Sequence, residues 1–133
     1  MKLDEGKAWL RRARILDLRI YEQNKLIESR YRSLGLKGVS YDKVQVISSP
    51  ENRFEMIFAE IDELKRKVDD LLLQRREVGL EIEFKISQLP ESPERAILLG
   101  YYVSGEEMEK ISKEIGYELS YCYKLLKRGI KAL

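Results

Sequence analysis

Met108-Glu109-Lys110-Ile111-Ser112-Lys113-Glu114-Ile115-Gly116-Tyr117, followed by Glu118-Leu119-Ser120-Tyr121-Cys122-Tyr123-Lys124-Leu125-Leu126-Lys127-Arg128, decides how the rest of the chain is read. Small Ser112 stands four residues before Gly116, and apolar side chains fall at Ile111, Ile115, Cys122 and Leu125. That spacing describes a helix-turn-helix. Ser112 is small where two helix backbones approach, and Gly116 stands just past the first helix, where a left-handed conformation costs glycine little. The apolar positions face inward and leave the outer face of the second helix free.

Working outward, Pro93 to Val103 reads as a third helix of the same unit, with Ala96, Ile97, Leu99 and Tyr102 or Val103 available for packing. Ser92 and Pro93 supply a cap-plus-proline start. Ser104 followed by Glu107 predicts a capping box for the next helix. The last helix runs from about Glu118, with Leu119, Cys122, Leu125, Leu126, Ile130 and Leu133 inward. Ser120, Tyr121, Tyr123, Lys124, Lys127, Arg128 and Lys131 are the outward candidates.

Before this unit, Pro50 to Leu89 keeps a seven-residue register. One seam is Phe54, Ile61, Val68, Arg75, Ile82 and Leu89; the other is Ile57, Leu64, Leu71, Val78 and Lys85. All but Arg75 and Lys85 are apolar, the pattern of a coiled-coil-type helix that weakens toward its C-terminal end. Ser49 and Pro50 open it and Pro90 closes it. From about Glu5 to Leu34 a first helix carries Trp9, Ala13, Leu16, Ile20, Ile27 and Leu34 at three- and four-residue steps, with Gln23 and Arg30 interrupting the stripe. Leu34-Gly35-Leu36-Lys37-Gly38 ends it, and Gly38 to Ser49 reads as a connecting loop in which Val44-Gln45-Val46 alternates like a short strand without a partner. The expected fold class is all-α: a long antiparallel helical hairpin over residues 1–89, for oligomerisation or partner binding, then a small three-helix module over residues 90–133. Pairing of the second helix within the chain or with another copy is left open by the sequence.

Composition narrows the chemistry. With no histidine and a single cysteine, the usual general base, the commonest metal ligand and a cysteine-ligated zinc site are all missing. No phosphate loop or dinucleotide fingerprint occurs, and pairs such as Asp69-Asp70 and Glu106-Glu107 are neighbours along helices that do not converge. The expectation is a protein that is not an enzyme and uses no cofactor or metal. Charged residues are 36% of the chain and net charge is only +2, but its distribution is uneven. Lys124, Lys127, Arg128 and Lys131 face one acid, Glu118, in the last helix, while the stretch before it is acidic. A basic helix beside an acidic neighbour suits contact with phosphates. In a major-groove geometry Ser120, Tyr121 and Lys124 would meet base edges, and Tyr123, Lys127, Arg128 and Lys131 the backbone phosphates. The arginine-rich faces of the first helix (Arg11, Arg12, Arg14, Arg19, Arg30, Arg32) are interrupted by acids and read first as solvated surface. No apolar run is long enough to span a bilayer, and Cys122 lies on an inward face, so a soluble cytoplasmic protein with a buried thiol is expected.

Residues Ser92 to Leu133 resemble region 4 of the sigma-70 family. That module typically shows an aromatic-aliphatic pair, a Gly, an acidic segment with Ile-Ala, then Gly-Tyr-Ser and a final Arg-Ala-Leu. The matching residues are Tyr102-Val103, Gly105, Ile111-Ser112, Gly116-Tyr117-Glu118 and Arg128-Gly129-Ile130. The full layout of helical hairpin, Ser-Ser-Pro helix start and terminal module is similar to small phage and prophage proteins of Gram-positive bacteria, related to the ArpU and RinA type regulators of late genes. The resemblance implies a sequence-specific regulator that binds double-stranded DNA in a bacterial host cell, forms a dimer through its hairpin and has RNA polymerase as a candidate partner. Two other readings fit the same layout: a small-terminase-like DNA-packaging subunit, and a helical adaptor that binds only protein. Departures from the family pattern are Met108 in place of an aromatic, Glu118 in place of Ser, and Gly129 in place of Ala. Glu118 is a weaker cap that would repel phosphates, and Gly129 is expected to loosen the last turn by up to about 1 kcal/mol.

Overall fold

A computed structural model describes residues 1–35 and 50–133. The expected loop Gly38–Ser49, its Val44–Val46 alternation and the Ser49 cap lie outside the described residues. The fold is all-α, with no strand among the described residues. Its elements are α1 (Leu3–Ser33), α2 (Pro50–Ser87), α3 (Pro93–Leu98) continuing into a π-helical turn (Leu99–Val103), α4 (Met108–Ile115) and α5 (Leu119–Ala132). No described helix is long and apolar enough to cross a membrane.

Helices α1 and α2 pack against each other as an antiparallel hairpin. α1 starts two residues before the expected Glu5, with Asp4 and Glu5 in its first turn and Arg30 and Arg32 in its last, charges that complement the helix dipole. Contacts divide the chain into two compact units, residues 18–73 and residues 1–17 with 74–133. In the first unit Leu34, Ile57 and Ile61 form a small core with Phe54 against it. Arg30 pairs with Glu60 at 2.8 Å, and Arg53 donates to the Ser33 carbonyl at 3.0 Å.

The second unit holds the larger core. Leu10 and Ala13 of α1 meet Ile82 and Ile86 of α2, then Ile97, Leu98, Tyr102, Met108, Ile111, Cys122, Leu125, Leu126 and Ile130. Pro90 therefore marks a change of helix within a shared core. Two details of the expected α2 seam change. Lys85 is exposed and Ile86 is fully buried, because a helix with 3.6 residues per turn drifts against a strict seven-residue repeat. Arg75 does not weaken the seam. Its Nε donates to Asp17 Oδ1 at 2.8 Å and its Nη2 to the Val103 carbonyl at 2.6 Å. Leu10, missed as a packing position, is fully buried.

The C-terminal helices follow local chemistry with three corrections. Ser92 caps α3 by accepting from the Arg95 amide at 3.2 Å, and Pro93 occupies the first turn. In α3, Leu98 is buried and Ala96 exposed, the reverse of the expected roles. The Ser104–Glu107 capping box is not formed. The Ser104 amide instead closes the π turn on the Leu99 carbonyl at 2.9 Å, Gly105 takes φ +69°, and α4 begins only after Glu107. Gly116 adopts φ 77° and donates to the Ser112 carbonyl at 2.9 Å, the left-handed helix end that its position predicts. Leu119, expected inward, is 38% exposed.

Gly129 has the opposite meaning to the one its helix propensity suggests. It is buried, and a Cβ there would come within 2.7 Å of Leu98 Cδ1. The missing side chain lets α3 lie close on α5. Gly6 does the same for α1, since a Cβ there would overlap the Ile130 side chain.

Candidate nucleic-acid interface

Helix α5 presents two faces with different chemistry. Cys122, Leu125, Leu126, Gly129 and Ile130 are buried. Ser120, Lys124, Lys127 and Lys131 follow at four-, three- and four-residue steps on the opposite side, so they form one exposed stripe. Tyr121 and Arg128 flank it on one side and Tyr123 on the other, all exposed. Every outward candidate is thus on the accessible surface of one helix. Burial of the opposite face fixes its rotation.

Electrostatics separates α5 from α4. On α4, Lys110 lies 3.4 Å from Glu106 and 3.9 Å from Glu114, so its charge is balanced locally. Lys124, Lys127, Arg128 and Lys131 form no ion pair among the described residues. Arg128 differs from the lysines in its surroundings: it lines a shallow groove of about 270 Å³ with Leu89, Pro90, Ser92 and Glu94. No family model, no curated protein and no solved structure matches this chain.

At the start of α5, Glu118 has the extended backbone of an N-cap, φ −65° and ψ 148°, but its side chain bonds no helix amide. The Tyr117 and Tyr121 rings meet edge to face at 5.5 Å between centroids and 77° between planes. Tyr117 was not among the outward candidates. The signal available in the sequence was its position four residues before Tyr121, directly after Gly116. Cys122 is fully buried, and burial pushes its thiol above the ordinary range. It is a core residue. Among the described residues no group of three or more acids and cysteine is gathered to hold a metal ion.

The arginines of α1 have roles that the sequence did not disclose. Arg14 donates to the Tyr101 carbonyl at 2.8 Å and lies 4.0 Å over the Tyr101 ring. Arg12 pairs with Glu81 at 3.2 Å, and Arg30 with Glu60. These three are engaged within the fold. Charge on α1 is therefore poorer in free cations than its composition suggests, and α5 keeps the better claim to an anionic partner.

Proposed function

We propose that residues 93–133 form a helix-turn-helix that binds duplex DNA, with α5 in the major groove, in a cytoplasmic phage- or prophage-type transcription regulator. The observation that carries this reading is the exposed stripe Ser120, Lys124, Lys127 and Lys131, whose lysines have no acidic partner among the described residues. A protein surface with several unneutralised cations along one helix gains by releasing the counterions of a polyanion. The Gly116 turn and the buried Ser112 meet the requirements for setting α4 against α5. Ser120, Tyr121 and Lys124 contact base edges, and Tyr123, Lys127, Arg128 and Lys131 contact phosphates.

A single short module with Glu118 at its start binds weakly, and pairing two copies raises the effective affinity. In support, the unit of residues 18–73 leaves Leu18, Tyr21, Met56, Phe58, Leu72 and Leu73 exposed. Apolar side chains left in water there are available to a second copy or to RNA polymerase. The test is a salt series of fluorescence anisotropy on short duplexes. Replacing Lys124 and Lys127 together with Ala should weaken binding and, through the lost Lys127 phosphate contact, reduce the salt slope by about one. Unchanged affinity in that variant would remove α5 from the interface.

A further inference from the structure

We propose that Tyr121, held by Tyr117, reads the C5-methyl group of thymine in the major groove. This rests on the DNA-binding reading above and adds the base that the site selects. Both residues are 40% exposed, so one ring sets its edge against the face of the other and each leaves the remainder in water. An exposed tyrosine normally samples several rotamers. The edge-to-face contact restricts Tyr121 before any partner arrives, which lowers the ordering cost of binding.

Position and chemistry select the target. Tyr121 is in the first turn of α5, the part of a recognition helix that approaches base edges. Thymine is the base that presents a methyl group in the major groove, while adenine and cytosine present amino donors there and guanine presents acceptors. The apolar area of an aromatic ring gains by covering a methyl and gains less over the polar edges of the other bases. Tyr121 is the contacting residue and Tyr117 its positioning residue. Tyr123 provides an internal comparison: it is 44% exposed on the other flank and has no aromatic partner among the described residues.

The experiment uses the full chain and alters the DNA first. A pool of short randomised duplexes is enriched on the protein at about 50 mM salt, where phosphate contacts are strong. The selected duplex is then made with thymine or with uracil, which lacks only the methyl. Affinity should fall roughly fourfold for each methyl contacted. Tyr121→Ala should bind both duplexes equally, Tyr117→Ala should shrink the difference, and Tyr123→Ala should lower both affinities while keeping their ratio. Equal binding of the two duplexes by the wild-type protein, or a preserved ratio in Tyr121→Ala, overturns the assignment while DNA binding stands. A pool that is not enriched at all overturns the DNA-binding reading and this inference with it, and would favour a protein partner for the same surface.

Discussion

The Arg75 guanidinium donates through Nη2 to the carbonyl of Val103 at 2.6 Å, while its Nε holds Asp17 at 2.8 Å. One side chain of α2 thus links α1 to the end of the π turn. The Arg75 side chain is 16% exposed against 43% for Asp17, so the pair is partly screened. Charged hydrogen bonds of this kind contribute about 1–3 kcal/mol. Arg75→Met keeps the stem but removes both bonds, and should lower unfolding free energy by roughly that amount in urea titrations. An unchanged midpoint would mean that the bridge is dispensable.

For Gly129→Ala, two effects oppose each other. Helix propensity favours alanine by about 1 kcal/mol. Overpacking against Leu98 costs about 1–3 kcal/mol, since the new Cβ would sit 2.7 Å from Cδ1 and 3.1 Å from Cγ, with Glu94 Cβ also near at 3.4 Å. The clash should win and lower the melting temperature. A higher one would show that α3 can move away at little cost.

Above neutral pH two buried groups set the direction. Burial raises Cys122, and burial is also the largest cause of the rise at Tyr102, helped by Tyr101 and opposed by Arg11 and Arg14. Both groups stay protonated in the fold at pH values where the unfolded chain already loses its proton. Stability is therefore full below the ordinary values and declines as pH climbs past 9.0 for the thiol and then 10.0 for the phenol. Chemical denaturation across that range checks the slope. A thiol reagent should also label native Cys122 far more slowly than the denatured chain; equal rates would contradict its burial.

Glu118→Ser separates stability from binding. Serine supplies the missing N-cap acceptor, worth about 1 kcal/mol, and gives up a favourable charge at the helix start worth about 0.3–1 kcal/mol. Folding stability should change little. Removing an acid from the start of the proposed recognition helix should tighten DNA binding several-fold at low salt, about threefold or more. Equal affinity for the two proteins would place Glu118 away from phosphates.

Much of the fold is legible in local spacing. The ends of α2 at Pro50 and before Pro90, the Ser92 cap and the Gly116 turn each depend on a residue type that acts through its own backbone. Contacts from distant elements were not legible. Ile86 replaces Lys85 in the core, and Leu98 rather than Ala96 meets α5. The outward candidates on α5 are all exposed, but the contact of Tyr121 with Tyr117 depends on how the turn brings two rings together.

By itself the sequence determined the helices, their order and the amphipathic split of α5, because periodicity and capping are properties of neighbouring residues. Tertiary structure decided what Arg75, Gly129 and Gly6 are for. An arginine in an apolar seam looks like a defect until Asp17 and the Val103 carbonyl are found beside it. A glycine inside a helix looks like a weakness until Leu98 or Ile130 occupies the space where its side chain would be. Those partners are far away in the chain, and only folding brings them within a hydrogen bond or a van der Waals radius.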